Sequence, residues 1–485
     1  RIAANDDLAG KNTENNGNIY VKNLKVNNLK NTGKIEGMNL KTDDITNSGD
    51  ITAIGKVSSR NIDNSGKLLA NDVINAKNIK NINKIAAGKG ITGERIDNSG
   101  TFATNGDIKA TNSLVNSGTV DGKGIDVAGA EFTNSGKING ENIKAQVAST
   151  RNDGFIYSGK DIDLTTNTLI NTKEITAVNN VNTANANVTN SGKIASNGRV
   201  LLDNSAIANT GEILSGEVFM RNAQRFDNTG TIKGNNVELG INQDINLTGN
   251  LHGQHRLKIS ANNITNNGNT TGTGLIEINS NDFTNNRELA SDTVVVNGRG
   301  EVVNNSMITG NNGKVSGRNI TNNDLIAFDN YLEMNVQGKV QNNKGKAIYG
   351  GQALAIKANE IMNDEAEILG GNMDLNAAKI TNNVGTIQST GNITITSSDF
   401  QNIGRVSNLG SYEKYYETWD GRRLSEAEVL NGWIVNEPDF QHRSRDRGSV
   451  KRHQRSWLES MIAKHSGNSL LFSQYADLAR AKLGQ

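Results

Sequence analysis

Apolar residues in this chain recur in a fixed relation to one polar residue. The core unit reads apolar-x-Asn-[Ser/Thr/Asn]-Gly-x-apolar, as in Ile45-Thr46-Asn47-Ser48-Gly49-Asp50-Ile51 and Phe226-Asp227-Asn228-Thr229-Gly230-Thr231-Ile232. The anchoring Asn falls at 15, 31, 47, 64, 81, 98, 116, 134, 152, 171, 190, 209 and 228, then at 266, 285, 304, 322, 342, 363, 382 and 402. Leu247 interrupts the series. The step drifts from 16 to 19 residues, holds at 19 for eight consecutive steps and then varies between 18 and 21. A second apolar signal follows about ten residues after each Asn: Ile162-x-Leu164, Val200-x-Leu202, Val237-x-Leu239, Ile276-x-Ile278, Leu332-x-Met334, Met373-x-Leu375 and Ile393-x-Ile395. Apolar-x-apolar is the period of a strand with one buried face. Each unit therefore predicts three short strands, separated by turn-forming Asn, Gly, Asp and Ser.

A fixed period of this length indicates a solenoid. Leucine-rich repeats need a Leu-rich signature that is absent. Helical repeats are longer and carry helical spacing, and the β-branched residues here favour strands. The pattern predicts an all-β, right-handed parallel β-helix of about 22 turns over residues 1–407. At about 4.8 Å per turn this is a rod of roughly 100 Å. Stacking brings equivalent residues together, so Asn47, Asn64, Asn98, Asn134, Asn190, Asn209, Asn228 and Asn266 are expected to form a structural ladder. Each amide offers both donors and an acceptor to its neighbours. Gly stands two residues after the Asn in 14 of the 22 units, and the expectation is that it supplies a positive φ.

Composition supports this reading. Hydrophobic residues are 34% and aromatics 4%, low for a globular domain of 485 residues. Disorder would bring proline and net charge, yet there is one proline, Pro438, and a net charge of +1. The absence of cysteine excludes disulfides and thiolate metal sites, and suits a chain exported unfolded. No apolar run is long enough to span a membrane, and Arg1 to Gly10 has no signal-peptide core. With the repeat already running at Asn15 and no cap before it, the chain reads as a segment of something longer.

The pattern stops near Val406. Residues 408–485 hold all three tryptophans, nine of the 21 aromatics and three of the five histidines. Ser425-x-x-Glu428 and Ser456-x-x-Glu459 are capping boxes, predicting helices near 425–431 and 456–466, with a third over 469–483. This non-repetitive, mixed or α-helical segment is expected to cap the rod or begin a receptor-binding region. Tyr415, Tyr416, Trp419 and Trp433 are its candidate partner-binding anchors.

Catalytic chemistry finds no focus. Polysaccharide-cleaving β-helices gather carboxylates with Lys or Arg on one face, whereas here Asp and Glu are scattered. His252-x-x-His255 lacks companion ligands and reads as a surface pair. His442 to Arg455 carries six Lys/Arg against one Asp, read as a solvated linker rather than a nucleic-acid patch. The Gly-Gly-x-Gly-x-Asp series of calcium-binding repeats is absent. The expectation is no enzyme, no catalytic or metal residue, no cofactor and no nucleic-acid partner.

The Asn-Ser-Gly-Lys-Ile and Asn-Thr-Gly-Glu-Ile units resemble the haemagglutinin repeats of filamentous haemagglutinin-like exoproteins, over about four-fifths of the chain. The resemblance implies a filament at the surface of a Gram-negative bacterium, exported by a dedicated outer-membrane transporter through two-partner secretion. Members are adhesins and virulence factors, or contact-dependent growth-inhibition effectors that present a receptor-binding region and deliver a carboxy-terminal toxin. The stretch Tyr412 to Trp433 looks like the end of the first repeat region of such effectors. The family's amino-terminal secretion domain and any toxin domain are missing from this sequence. The implied partners are the transporter, through that missing domain, and a receptor or glycan on a target cell.

Overall fold

The structure, a computed structural model, describes residues 1–404 and the backbone of five later strands, Tyr415–Thr418, Arg423–Ser425, Ile434–Glu437, Phe440–His442 and Ser449–Arg452. The described residues contain strands and no helix. From Ile2 to Ile403 the strands pair in parallel and stack as a β-solenoid of about 21 turns. The fold divides into two compact units, Arg1–Asn262 and Asn263–Gln485.

In the first unit the pairing register keeps the repeat in phase. The first three turns carry strands Ile2–Asn15, Asn18–Asn31 and Lys34–Asn47, with Asn15, Asn31 and Asn47 directly opposite one another. Later turns divide into three strands, such as Asn187–Asn190, Lys193–Ser196 and Arg199–Leu201. Along every short strand burial alternates, because successive side chains point to opposite faces. Inward positions form continuous columns. Ile51, Leu68, Ile85, Phe102, Val120 and Ile138 follow one another turn by turn, all fully buried. Each such side chain gains about 1.5–3 kcal/mol from leaving water, so a thin core suffices when every turn repeats it.

Extra residues enter between the paired segments of a turn, and the register shifts where they do, as between Ala110 and Ser113. The step grows from 16 to 17 residues between the Gly37–Ala53 and Leu40–Val57 pairs. It reaches 19 between the Gly140–Ser158 and Ile143–Ile162 pairs. There Ser158 is fully buried and fills the widened corner. Its hydroxyl donates to the carbonyls of Glu141 at 2.9 Å and Asp161 at 2.8 Å and accepts from the Lys160 amide at 3.2 Å.

The glycine expectation needs correction. Among the described residues, positive φ at glycine is found at Gly129 and Gly345, not at the repeat position. Repeat glycines stacked on a preceding turn, such as Gly211 and Gly230, are required by close approach instead. A Cβ built on Gly211 would overlap the carbonyl oxygen of Gly192, and one on Gly230 the carbonyl of Gly211. Where Asn83 or Lys173 stands at this position, the corner accommodates a side chain. Gly211→Ala is therefore expected to displace the corner rather than unfold it, costing about 1–1.5 kcal/mol. A urea midpoint unchanged by the substitution would contradict this.

The second unit repeats the plan with wider turns. Strands Asn263–Asn266, Asp282–Asn285, Glu301–Asn304, Asn319–Asn322 and Lys339–Asn342 carry its ladder Asn at their ends. Strands Ala347–Asp364 and Glu367–Asn383 run for 18 and 17 residues. Ile326, Phe328, Ile348 and Ile368 are fully buried here. Glu365 and Val384 occupy the glycine position with φ of 46° and 55°. At these two positions the backbone is left-handed without glycine, a costly choice for the β-branched Val384. On the last described turn Ile393 and Ile395 keep the strand alternation but are exposed.

The five later strands form a separate sheet. Tyr415–Thr418 pairs antiparallel with Arg423–Ser425 and with Ser449–Arg452. Ile434–Glu437 pairs antiparallel with Phe440–His442 and parallel with Ser449–Arg452. The helices expected over 425–431, 456–466 and 469–483 lie outside the described residues, except Ser425, which ends a strand.

Candidate functional site: the asparagine ladder and an aromatic flank

The repeated Asn lies at the inward end of its strand, immediately before a corner, and is buried in nearly every turn. Its Nδ2 donates to the Oδ1 of the next turn's Asn. The bonds are 2.7 Å from Asn47 to Asn64, 2.7 Å from Asn98 to Asn116, 2.8 Å from Asn134 to Asn152, and 2.7 Å from Asn190 to Asn209 and from Asn209 to Asn228. In the second unit Asn266 donates to Asn285 at 2.9 Å. The same amide also serves backbone carbonyls. Asn190 reaches the Gly192 carbonyl of its own corner at 3.2 Å and the Glu212 carbonyl of the next turn at 3.1 Å. One side chain thus satisfies the polar backbone of two corners, which burial would otherwise leave costly. All these donors face the same way along the stack.

The series in the first unit ends at Asn228, whose amide donates to the Gly230 carbonyl at 3.3 Å. Leu247, at the following repeat position, is buried. A leucine of nearly the same shape fills the place but offers no acceptor.

In the second unit a further rail, which the repeat formula does not single out, runs beside the first. Asn286 donates to Asn267 at 2.8 Å, Asn305 to Asn286 at 2.8 Å, Asn323 to Asn305 at 2.7 Å and Asn343 to Asn323 at 2.5 Å. These donors point opposite to those of the buried ladder. The signal was available as the Asn-Asn doublets 266–267, 285–286, 304–305, 322–323 and 342–343.

The candidate binding aromatics fall largely beyond what is described. Tyr415 and Tyr416 lie on the strand Tyr415–Thr418, while Trp419 and Trp433 lie outside the described residues. Of the basic stretch 442–455, His442 and the strand Ser449–Arg452 have a described backbone. His252 is half-buried and His255 exposed. Burial, and then the charge of Lys233 in the adjacent turn, push the His252 imidazole below its ordinary value. No group of three or more His, Cys, Asp or Glu that could hold a metal occurs among the described residues.

The first unit does carry a concavity on one flank. An open groove of about 980 Å³ crosses the outward face of the strands that follow the corner glycines. Phe155 and Tyr157 project into it from the strand Phe155–Ser158, and both are exposed, at 52% and 45%. Ile156 between them points inward and is fully buried. In the flanking turns Lys137 and Glu174 stand opposite Phe155, and Asn139 and Thr176 opposite Tyr157. The rim holds an ion pair between Lys160 and Glu141 at 2.5 Å. Lys160 holds the Glu141 carboxyl below the usual carboxylate range. Glu174 accepts from the Thr176 hydroxyl at 2.7 Å.

No match to this chain is found among protein-family profiles, curated proteins or solved structures.

Proposed function

We propose that this chain is a filament segment of a large exported bacterial surface protein of the filamentous haemagglutinin-like kind. Its work is mechanical: it projects a distal binding or toxic module towards another cell, for adhesion or contact-dependent growth inhibition. The observation that carries this reading is the ladder itself. Turn after turn commits its buried polar side chain to the neighbouring turn, leaving the repeated residue no role but stacking. The resemblance of the repeat units supplies the setting: export through an outer-membrane transporter, by way of a secretion domain, and display on a Gram-negative cell. Catalysis, cofactor and nucleic acid have no part in this reading. Among the described residues no helix is long and apolar enough to cross a membrane.

In-register removal of one whole turn tests the proposal. Deleting residues 191–209 joins Asn190 to Thr210 and preserves the alternation of every strand. The folded stack and presentation of an epitope fused after Gln485 should persist, with only reach reduced. Loss of display after removing any single turn would overturn the spacer role. Adhesion to target cells that survives in the chain but disappears without residues 408–485 would favour a binding module in the later segment.

A further inference from the structure

We infer that the flank groove of the first unit is a binding site for a neutral saccharide, with Phe155 and Tyr157 as its stacking platform. The aromatics stand two apart on one strand, which sets them side by side on the same outward face. Their column neighbours are ordinary solvent-facing residues: Thr101, Thr119, Lys137 and Glu174 for Phe155, and Asp121, Asn139 and Thr176 for Tyr157. Packing does not account for the pair, because Ile156 alone supplies that strand's central core contact and is 1% exposed. Two large rings therefore sit in water where the adjacent turns carry polar residues, inside a concavity.

The surroundings narrow the ligand. Asp121, Asn139, Lys123 and Lys137 line the same groove, offering acceptors and donors of both charges. A nucleic acid would meet the carboxylates of Asp121, Glu141 and Glu174, which repel phosphates. A protein partner needs about 800 Å² on each side for a stable complex, more than two rings and their rim present as apolar surface. A sugar ring fits both halves of the site. Its C–H face lies on an aromatic ring, and its hydroxyls, each donor and acceptor, pair with mixed amide, ammonium and carboxylate groups. Sites of this kind join a few aromatic walls to sparse, placed polar groups.

The inference is independent of the spacer role, since a filament can carry a lateral binding groove or lack one. It is tested with the intact chain on a printed array of neutral, sialylated and sulfated glycans. The comparison is with Phe155→Thr/Tyr157→Thr, which installs the residue found in the same columns at Thr119 and Thr176. Retention of neutral glycans, weakened at least tenfold in the variant with an unchanged melting profile, is the expected result. No neutral glycan retained, retention unaffected by the double substitution, or binding confined to sulfated or sialylated glycans would overturn it. A lowered melting midpoint in the variant would also overturn it, by assigning the rings to packing.

Discussion

Replacing Asn209 by leucine lowers the stability of the first unit by about 3–5 kcal/mol, although leucine matches the shape and buries well at position 247. The magnitude follows from what is orphaned. Asn190 loses the acceptor it reaches at 2.7 Å, and Asn228 loses the donor that reaches it at 2.7 Å. The Gly211 and Thr231 carbonyls lose an amide partner at 3.2 and 3.5 Å. Each buried group left unpaired costs about 1–3 kcal/mol, partly offset by the apolar contacts leucine makes. Two neighbouring sites replaced together should cost less than the sum of the singles, because the bond between them is removed only once. Urea unfolding of Asn190→Leu, Asn209→Leu and the double variant measures this. Strict additivity, or a loss below about 1 kcal/mol for the single, would sink the ladder as a source of stability.

Glu367→Gln is expected to stabilise the second unit at alkaline pH and leave it unchanged in acid. Glu367 lies between fully buried Ala366 and Ile368, and Ala347 precedes it in its column. Its Oε2 is buried without a hydrogen-bond partner. Burial raises its pKa to about 8. The folded state thus binds the proton more tightly than the unfolded chain. The stability this group contributes is complete below the unfolded carboxylate value, near 4.3, and is lost as pH rises through about 8. Because the side chain is only partly buried, the effect is discounted to about 2 kcal/mol at pH 9. Melting midpoints of the two proteins should coincide at pH 4, diverge progressively as pH rises from there, and be fully separated by about pH 8, with glutamine higher. Parallel curves across that range would exclude a desolvated Glu367.

The solenoid was legible because its information is periodic. The Asn spacing, the alternating apolar residues and their phase each define the turn, and all agree at every repeat. The burial of Ile162 with Leu164 and of Val200 with Leu202 follows from two-residue alternation alone. What was not legible depends on neighbours remote in sequence. The role of Gly211 is set by the Gly192 carbonyl in the turn before it, a contact no single repeat displays. Glu367 looks like any polar residue until the adjacent columns are stacked around it. Phe155 and Tyr157 were masked differently. Beside Ile156 they read as one apolar run, although the phase fixed by Lys137-Ile138-Asn139 in the preceding unit already places both outside. Attention to aromatic richness pointed instead to Tyr415, Tyr416, Trp419 and Trp433.

The confinement of extra residues to the gaps between paired segments has a genetic consequence. Residues per turn alter girth, whereas number of turns alters reach, and the two vary separately. Near-identical stretches such as those around Asn47, Asn64 and Asn134 are natural points of unequal recombination. Exchange between equivalent codons adds or removes whole turns, returns every Asn to its rail and leaves the reading frame intact. A gene built this way can lengthen or shorten its product in one event without passing through an unfolded intermediate form. Single-residue insertions survive only where such a gap can absorb them, as it does after Gly140.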